Sequence, residues 1–303
     1  MPDDRLDGRK VMITGSSSGL GLATAKALAA RGAEVIMAVR SGIPEKGEEV
    51  RRSVPGARVH MIHVDLSDLD SIQNLVKTMK KEFGKIDILV CNAAVVAKQA
   101  RKTKHGLDEM FSVNYLSKFT LVNLLIKQDC FARANGKTPR IIFVSSESHR
   151  NPEGFEWETF GRFIPFTIGK TVERYGYYKL LMTTFSQELE RRLNPNASPN
   201  YSVFALCPGP VNSNIAREAP KVFHPLLKLV FGIFFRSPEK ASEPVEYLAV
   251  SPELEGKARD YLFLMGRKAI DEKATDPENG KKLWALSEKL LEEKVVILEE
   301  YAV

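Results

Sequence analysis

The segment Tyr175-Gly176-Tyr177-Tyr178-Lys179 sets a phenol and an ammonium four positions apart, so on a helix they face the same side one turn apart. A phenol with a pKa near ~10 is a poor acid–base catalyst at neutral pH. A cation at about 4 Å in an intermediate dielectric would favour the phenolate by up to ~4 kcal/mol before screening. That pairing suits proton transfer at a substrate oxygen, and the expectation is that Lys179 lowers the pKa of Tyr175. A second chemical signal is Thr14-Gly15-Ser16-Ser17-Ser18-Gly19-Leu20-Gly21. Gly15 permits a tight turn, Gly19 lets backbone amides approach a pyrophosphate, and Gly21 allows close helix–sheet contact, with a positive helix end facing the phosphates. Its spacing, G-x-x-x-G-x-G, differs from the G-x-G-x-x-G of the common dinucleotide fingerprint. The third signal is Ala38-Val39-Arg40-Ser41, where no acid occurs before Glu45. A carboxylate there would accept from an NAD ribose, whereas an arginine fork suits a 2′-phosphate, so NADP(H) is expected over NAD(H).

These groups need a scaffold that brings strand ends together. Short apolar runs at Lys10–Thr14, Glu34–Ala38, Val59–Val64, Ile86–Cys91, Arg140–Ser145, Tyr201–Leu206 and Tyr261–Leu264 read as buried strands. Helical spacing marks Leu20–Arg31, Leu69–Phe83, Leu107–Leu125, Lys170–Leu193 and Glu239–Val250. The alternation predicts an α/β fold, a single Rossmann-type doubly wound parallel sheet of about seven strands with helices on both faces. Residues 1–303 read as one domain, with insertions at 147–169 and 214–238 and a helical extension at 270–303. Both insertions are long and apolar. The first holds Phe155, Trp157, Phe160, Phe163 and Phe166, and it is expected to act as a lid over a greasy ligand, or else as a local mini-core or a subunit interface. The apolar run Leu226–Phe235 could cap the pocket or rest on a membrane surface. Glu-rich Leu290–Glu300 reads as a solvated helix face.

The glycine pattern resembles that of the short-chain dehydrogenase/reductases, and further matches follow in order. Asp65-Leu66 is similar to the pair that borders the adenine, and Cys91-Asn92-Ala93-Ala94 to an Asn-Ala-Gly segment with Ala94 in place of the glycine. Asn114 matches the structural and catalytic asparagine, expected to hold a water that links Lys179 to solvent. Pro208-Gly209 matches the turn beside the nicotinamide, with Val211 and Ser213 just beyond it and Ser213 where a threonine is common. In Val144-Ser145-Ser146 the resemblance makes Ser146 the catalytic serine, although it stands 29 residues before Tyr175, farther than the family's usual spacing. Ser145-Ser146-Glu147-Ser148-His149, Phe234-Phe235-Arg236-Ser237-Pro238-Glu239 and Leu283-Trp284-Ala285-Leu286-Ser287 look like the retinol dehydrogenase branch. Cys91-Asn92-Ala93-Ala94-Val95 is closer to protochlorophyllide reductase.

The resemblance implies hydride transfer between NADP(H) and an apolar alcohol or its aldehyde or ketone. Ser146 would bind the substrate oxygen, Tyr175 would move its proton, and Lys179 would touch the nicotinamide ribose. Reduction of a conjugated C=C bond is the alternative within enzymes. A non-catalytic, NADPH-binding regulatory protein is the alternative of another class. A homo-oligomer, dimer or tetramer, is expected by analogy.

Composition narrows the field. Of 303 residues 44% are hydrophobic and 27% charged, enough apolar content for a large core. Cys91, Cys130 and Cys207 are few and scattered, which suits a reducing compartment and offers no disulfide frame or metal site. The net charge of +6 is spread along the chain without a nucleic-acid-type basic block. The first ten residues lack the apolar stretch of a secretory signal, and no window reaches the ~20 apolar residues of a membrane span. A cytoplasmic protein is expected, with peripheral contact to a membrane as the second option. His60, His63, His105, His149 and His224 are read as packing or solvent residues.

Overall fold

A computed structural model describes residues 5–133, 137–196, 199–211 and 236–294. The chain runs β1 (Lys10–Thr14), α1 (Gly19–Ala30), β2 (Glu34–Val39), α2 (Glu45–Ser53), β3 (Val59–His63), α3 (Leu69–Thr78) and β4 (Ile88–Cys91). It continues with α4 (Glu109–Phe111), α5 (Ser117–Lys127), β5 (Arg140–Val144), α6 (Thr171–Leu193) and β6 (Ser202–Cys207). The last elements are α7 (Pro238–Val250), β7 (Arg259–Phe263), β8 (Gly266–Arg267), α8 (Glu272–Thr275) and α9 (Pro277–Lys294). All eight strands join one sheet in the order β3-β2-β1-β4-β5-β6-β7-β8. The seven expected strands run parallel; the eighth, β8, turns back antiparallel on β7 with Leu262 opposite Arg267.

The apolar runs form central strands because both faces are covered. Every residue of β4, β5 and β6 is buried, as expected where helices pack on each side. One core cluster joins Ile72, Phe119, Phe143, Phe185 and Trp284 on the side of α3, α5, α6 and α9. The other joins Leu28, Val35, Val50, Ile142 and Val245 on the side of α1, α2 and α7. Strand order reverses between β1 and β4, which both pair with their neighbours around Ile13 (Met37 on one side, Val90 on the other). In open α/β sheets the crevice at such a switch point, beyond the carboxyl ends of the strands, is where ligands bind.

Two expected helices are interrupted. The pattern Leu69–Phe83 ends its α-helical part at Thr78 and continues as a wider π turn, Met79–Phe83. The pattern Leu107–Leu125 divides into α4, a π turn at Ser112–Leu116 and α5. A π turn inserts one extra residue per loop while keeping apolar residues on the core side, so periodicity alone does not reveal it. Leu290 and Leu291 at the end of α9 are buried in the core, which corrects the reading of a purely solvated face; residues 295–300 lie outside the described part. Among the described residues no helix is long and apolar enough to cross a membrane.

Candidate active site

The turn between β1 and α1 has the shape its glycines permit. Gly15 and Gly19 adopt φ of +67° and +52°, values that side-chain-bearing residues rarely adopt. A Cβ on Gly15 would lie 2.8 Å from the Ala93 Cα, and one on Gly21 would lie 2.4 Å from the Gly15 carbonyl oxygen. Ser18 precedes α1 without a side-chain cap, so the first amides of the helix stay open to an anion. Ser16 is buried and donates to the Ile13 carbonyl at 3.0 Å. Ser17 and Ser18 are partly exposed and Leu20 is buried. The Gly15–Ala93 approach leaves a narrow cradle at the switch point, and its open amides fit the pyrophosphate of a dinucleotide.

Sequence reasoning missed a brace under this cradle. The Thr14 Oγ1 accepts from the Asn92 and Ala93 amides at 3.1 and 3.2 Å. The Asn92 side-chain amide donates to the Thr14 and Gly15 carbonyls at 2.9 and 3.1 Å. Its nitrogen is thus committed to holding the turn. Thr14 stood in the motif as the end of a strand, and its hydroxyl gave no separate signal. Ala94 follows in the same partly exposed stretch.

Asp65 and Leu66, expected to border the adenine, follow β3. Asp65 ends the β3 region, where its Oδ1 accepts from the Ser67 amide and hydroxyl at 2.9 and 2.7 Å, with Leu66 buried beside it. Arg40 follows β2 with its side chain 61% exposed and its guanidinium 3.9 Å from a Glu109 carboxylate oxygen. The two are close enough to attract one another through solvent but not to form a tight ion pair.

The side chains expected to react gather at the carboxyl ends of β5 and β6. Ser145 is buried and shares a 2.7 Å hydrogen bond with Thr183 of α6, which makes it structural. Ser146 instead faces the Tyr175 phenol, and this contact draws the phenol's pKa down. Its Oγ also accepts from the Ser148 hydroxyl at 2.9 Å and the Ser148 amide at 3.2 Å. Lys179, fully buried, donates to the Val144 carbonyl at 2.7 Å and stands 5.5 Å from the centre of the Tyr175 ring. Phenol and ammonium therefore do share one face of α6, as their spacing predicts.

Their electrostatics differ from expectation. Burial pushes Tyr175 above the ordinary tyrosine range, and the neighbouring Cys207 adds to the rise. Lys179 is not among the groups that lower it, because its ammonium sits beside the ring and bonds a carbonyl. Burial also brings Lys179 down to about 8. The protonated phenol is the state this pocket favours.

Asn114 lies in the π turn with no exposure. Its amide donates to the Val95 carbonyl and accepts from the Val95 amide, both at 2.8 Å. That pairing makes the side chain a clasp on the Val95 backbone, using one N–H and one oxygen lone pair of the amide. Gly209, with φ of +76°, follows Pro208 after β6, and Val211 bridges to Arg236. Ser213, the insertion 214–238 up to Phe235, and the run Leu226–Phe235 lie outside the described residues.

The insertion 147–169 is described and consists of short 3-10 turns. Its aromatic rings pack as a mini-core. Phe155 stacks on Trp157 at 4.4 Å, Phe160 meets Phe111 and Tyr115 edge-on, and Lys282 of α9 lies over Trp157. His149 is buried, with Nδ1 2.7 Å from the Ser146 carbonyl oxygen, and burial lowers its pKa; it packs as expected.

A parallel sheet with a glycine turn at its switch point is an architecture suited to a dinucleotide. The family described as short chain dehydrogenase matches residues 9–156. The chain is 35% identical to the WW domain-containing oxidoreductase of Pongo abelii, over 95% of this chain and 69% of that one. It is 33% identical to retinol dehydrogenase 13 of Mus musculus, over 94% and 84%. An uncharacterized protein from Mycobacterium Paratuberculosis shares the fold at a TM-score of 0.72 and 29% identity, over 95% of both chains. The chain belongs to the short-chain dehydrogenase/reductase family, in its retinol dehydrogenase-like branch. That family's members bind nicotinamide cofactors.

Proposed function

We propose that this chain is an NADP(H)-dependent oxidoreductase that interconverts an apolar alcohol and its aldehyde or ketone, with Tyr175 as the acid and base. The observation that carries the reading is the contact of the Tyr175 phenol with Ser146, at the strand ends beside the cradle, with Lys179 against the same ring. The bound dinucleotide would supply or accept a hydride. The chain's own part is to hold and protonate the oxygen. The Ser146 hydroxyl orients the substrate oxygen toward Tyr175. The partly buried phenol, kept protonated by its surroundings, then donates to that oxygen during reduction. Lys179, beside the same ring, is the cation that would hold the nicotinamide ribose.

Two observations support the finer parts. Arg40 follows the end of β2 with no acid between Ala38 and Glu45, a pattern that suits a 2′-phosphate over a free ribose hydroxyl. Ile168 and Val172, 66% and 68% exposed, present apolar surface at the start of α6. Val172 is three residues before Tyr175 and so lies on the same side of the helix. Retinol dehydrogenases among the relatives agree with an apolar substrate. The test is Tyr175→Phe assayed on a panel of apolar aldehydes and ketones. Turnover should fall at least 1,000-fold, roughly the scale of losing general acid catalysis, while NADPH binding stays within about threefold. Unchanged turnover would sink the assignment.

A further inference from the structure

Lys118 is a charged side chain that the proposed chemistry leaves unused. It sits in the first turn of α5, four residues after Asn114, and is only 2% exposed. Its ammonium donates to the Ala93 carbonyl at 2.6 Å and also to the Val113 carbonyl. The charged or titratable groups that face it are Lys179 from α6 and the Cys91 thiol from β4, with no carboxylate among them. Burying an unpaired cation costs several kcal/mol, and an apolar side chain of the same length would avoid that cost. What the site gains must come from the two carbonyls the ammonium holds.

Those carbonyls have a definite place. Ala93 forms the wall that approaches Gly15 so closely that no side chain fits there. Val113 precedes Asn114, whose amide clasps both backbone groups of Val95. On the other flank, Thr14 accepts from the Asn92 and Ala93 amides. The stretch Asn92–Val95 is therefore suspended between the glycine turn and the start of α5. On the α5 side only Lys118 and Asn114 hold it, among the described residues.

We infer that Lys118 is a positioning residue of the dinucleotide crevice, fixing the Ala93 wall against Gly15 through its N–H donors. The inference rests on the reading of the crevice as a nicotinamide dinucleotide site. The wall would border the part common to both dinucleotides, so NADPH and NADH must be affected alike. Burial and the charge of Lys179 bring Lys118 down to about 7. A neutral amine still carries two N–H donors, so the clamp survives loss of the proton. An electrostatic role toward the phosphates would instead fade as pH rises through that value.

The experiment measures Kd for NADPH and for NADH by the fluorescence of the reduced nicotinamide. It uses the full-length wild type, Lys118→Met and Lys118→Gln, from pH 6 to 9. Losing the donors in Lys118→Met should weaken both dinucleotides about tenfold, the size of one charge-assisted hydrogen bond. The kcat at saturating cofactor should stay within about twofold. Lys118→Gln keeps two donors without the charge and should bind both within about threefold of wild type, by a ratio constant across the pH range. Three results overturn the inference: wild-type affinity in Lys118→Met, a tenfold loss in Lys118→Gln, or a loss confined to one dinucleotide. Should Lys118→Met fail to fold, the Lys118→Gln comparison across pH decides by the same criteria. A wild type that binds neither dinucleotide overturns the crevice reading and this inference with it, whereas equal binding by wild type and Lys118→Met overturns the inference alone.

Discussion

Lys179 carries the sharpest consequence at the scale of single residues. In the proposed carbonyl reduction Tyr175 gives up its proton, and Lys179 against the same ring is the cation that would hold the nicotinamide ribose. Burial brings Lys179 from the usual lysine range to about 8, so above that pH the cation is lost. The kcat/KM for reduction is expected to be flat below about pH 7.5 and to fall about tenfold per unit well above 8. A pH–rate profile of wild type checks this; a profile flat to pH 10 would mean that the reaction does not need Lys179 charged. On the proposed function, cofactor choice rests on one residue as well. Replacing the Arg40 fork by a carboxylate, Arg40→Asp, should cut kcat/KM with NADPH by about 10- to 100-fold, the range of a charge-assisted hydrogen bond. The value with NADH should hold or rise. Equal losses with both cofactors would show that Arg40 does not read the 2′-phosphate.

The elements explain which residues the sequence could reveal. Tyr175 and Lys179 were legible because a regular helix, α6, fixes the relation of positions four apart. The glycine turn was legible because positive φ and close approach leave few other residue types. Lys118 also stands four residues after Asn114, a spacing that could have drawn notice. The π turn Ser112–Leu116 separates them, however, and burial of a lysine cannot be read from its type. Likewise the roles of Thr14 and Asn92 depend on the contact of β1 with β4, whose register lies some 78 residues apart in the chain. The α1–sheet junction gives a direct test. Gly21→Ala would drive a Cβ to 2.4 Å from the Gly15 carbonyl oxygen and 2.5 Å from the Asn92 amide nitrogen. Both contacts are with groups that form the cradle. Stability should drop by about 1–3 kcal/mol, as for other overpacked junctions, and NADPH affinity should fall with it. Denaturant melts and a binding titration measure the two; an Ala variant with wild-type values would mean the helix can retreat without disturbing the cradle.

Across the whole molecule, the parallel order of the seven main strands followed from the alternation of apolar runs and helical patterns. The pieces not foreseen were those set by distant contacts. β8 exists only because Leu264, at φ +58°, turns the chain back along β7. α9 is a core element because Trp284 meets Phe119 and Phe185, and because Ser287 shares a 2.6 Å hydrogen bond with Tyr115. The same long-range packing buries both Lys118 and Lys179, and this has a thermodynamic consequence for the entire fold. Their pKa values lie near 7 and 8 when folded and return to the ordinary 10.5 when the chain unfolds. Between about pH 7 and 10 the unfolded chain therefore binds more protons than the folded one, and stability rises with pH, by at most about 1.4 kcal/mol per unit for each lysine. The buried tyrosines and Cys91 act in the opposite sense, but only above their unfolded values of 10 and 9. Glu49, held near 2 by Lys26 and Lys46, already contributes fully at pH 7. The ligand-free protein should thus melt at a higher temperature at pH 9 than at pH 7, and Lys118→Met should show a smaller rise. A melting temperature that falls between pH 7 and 9 would mean that water reaches these ammonium groups in the folded chain.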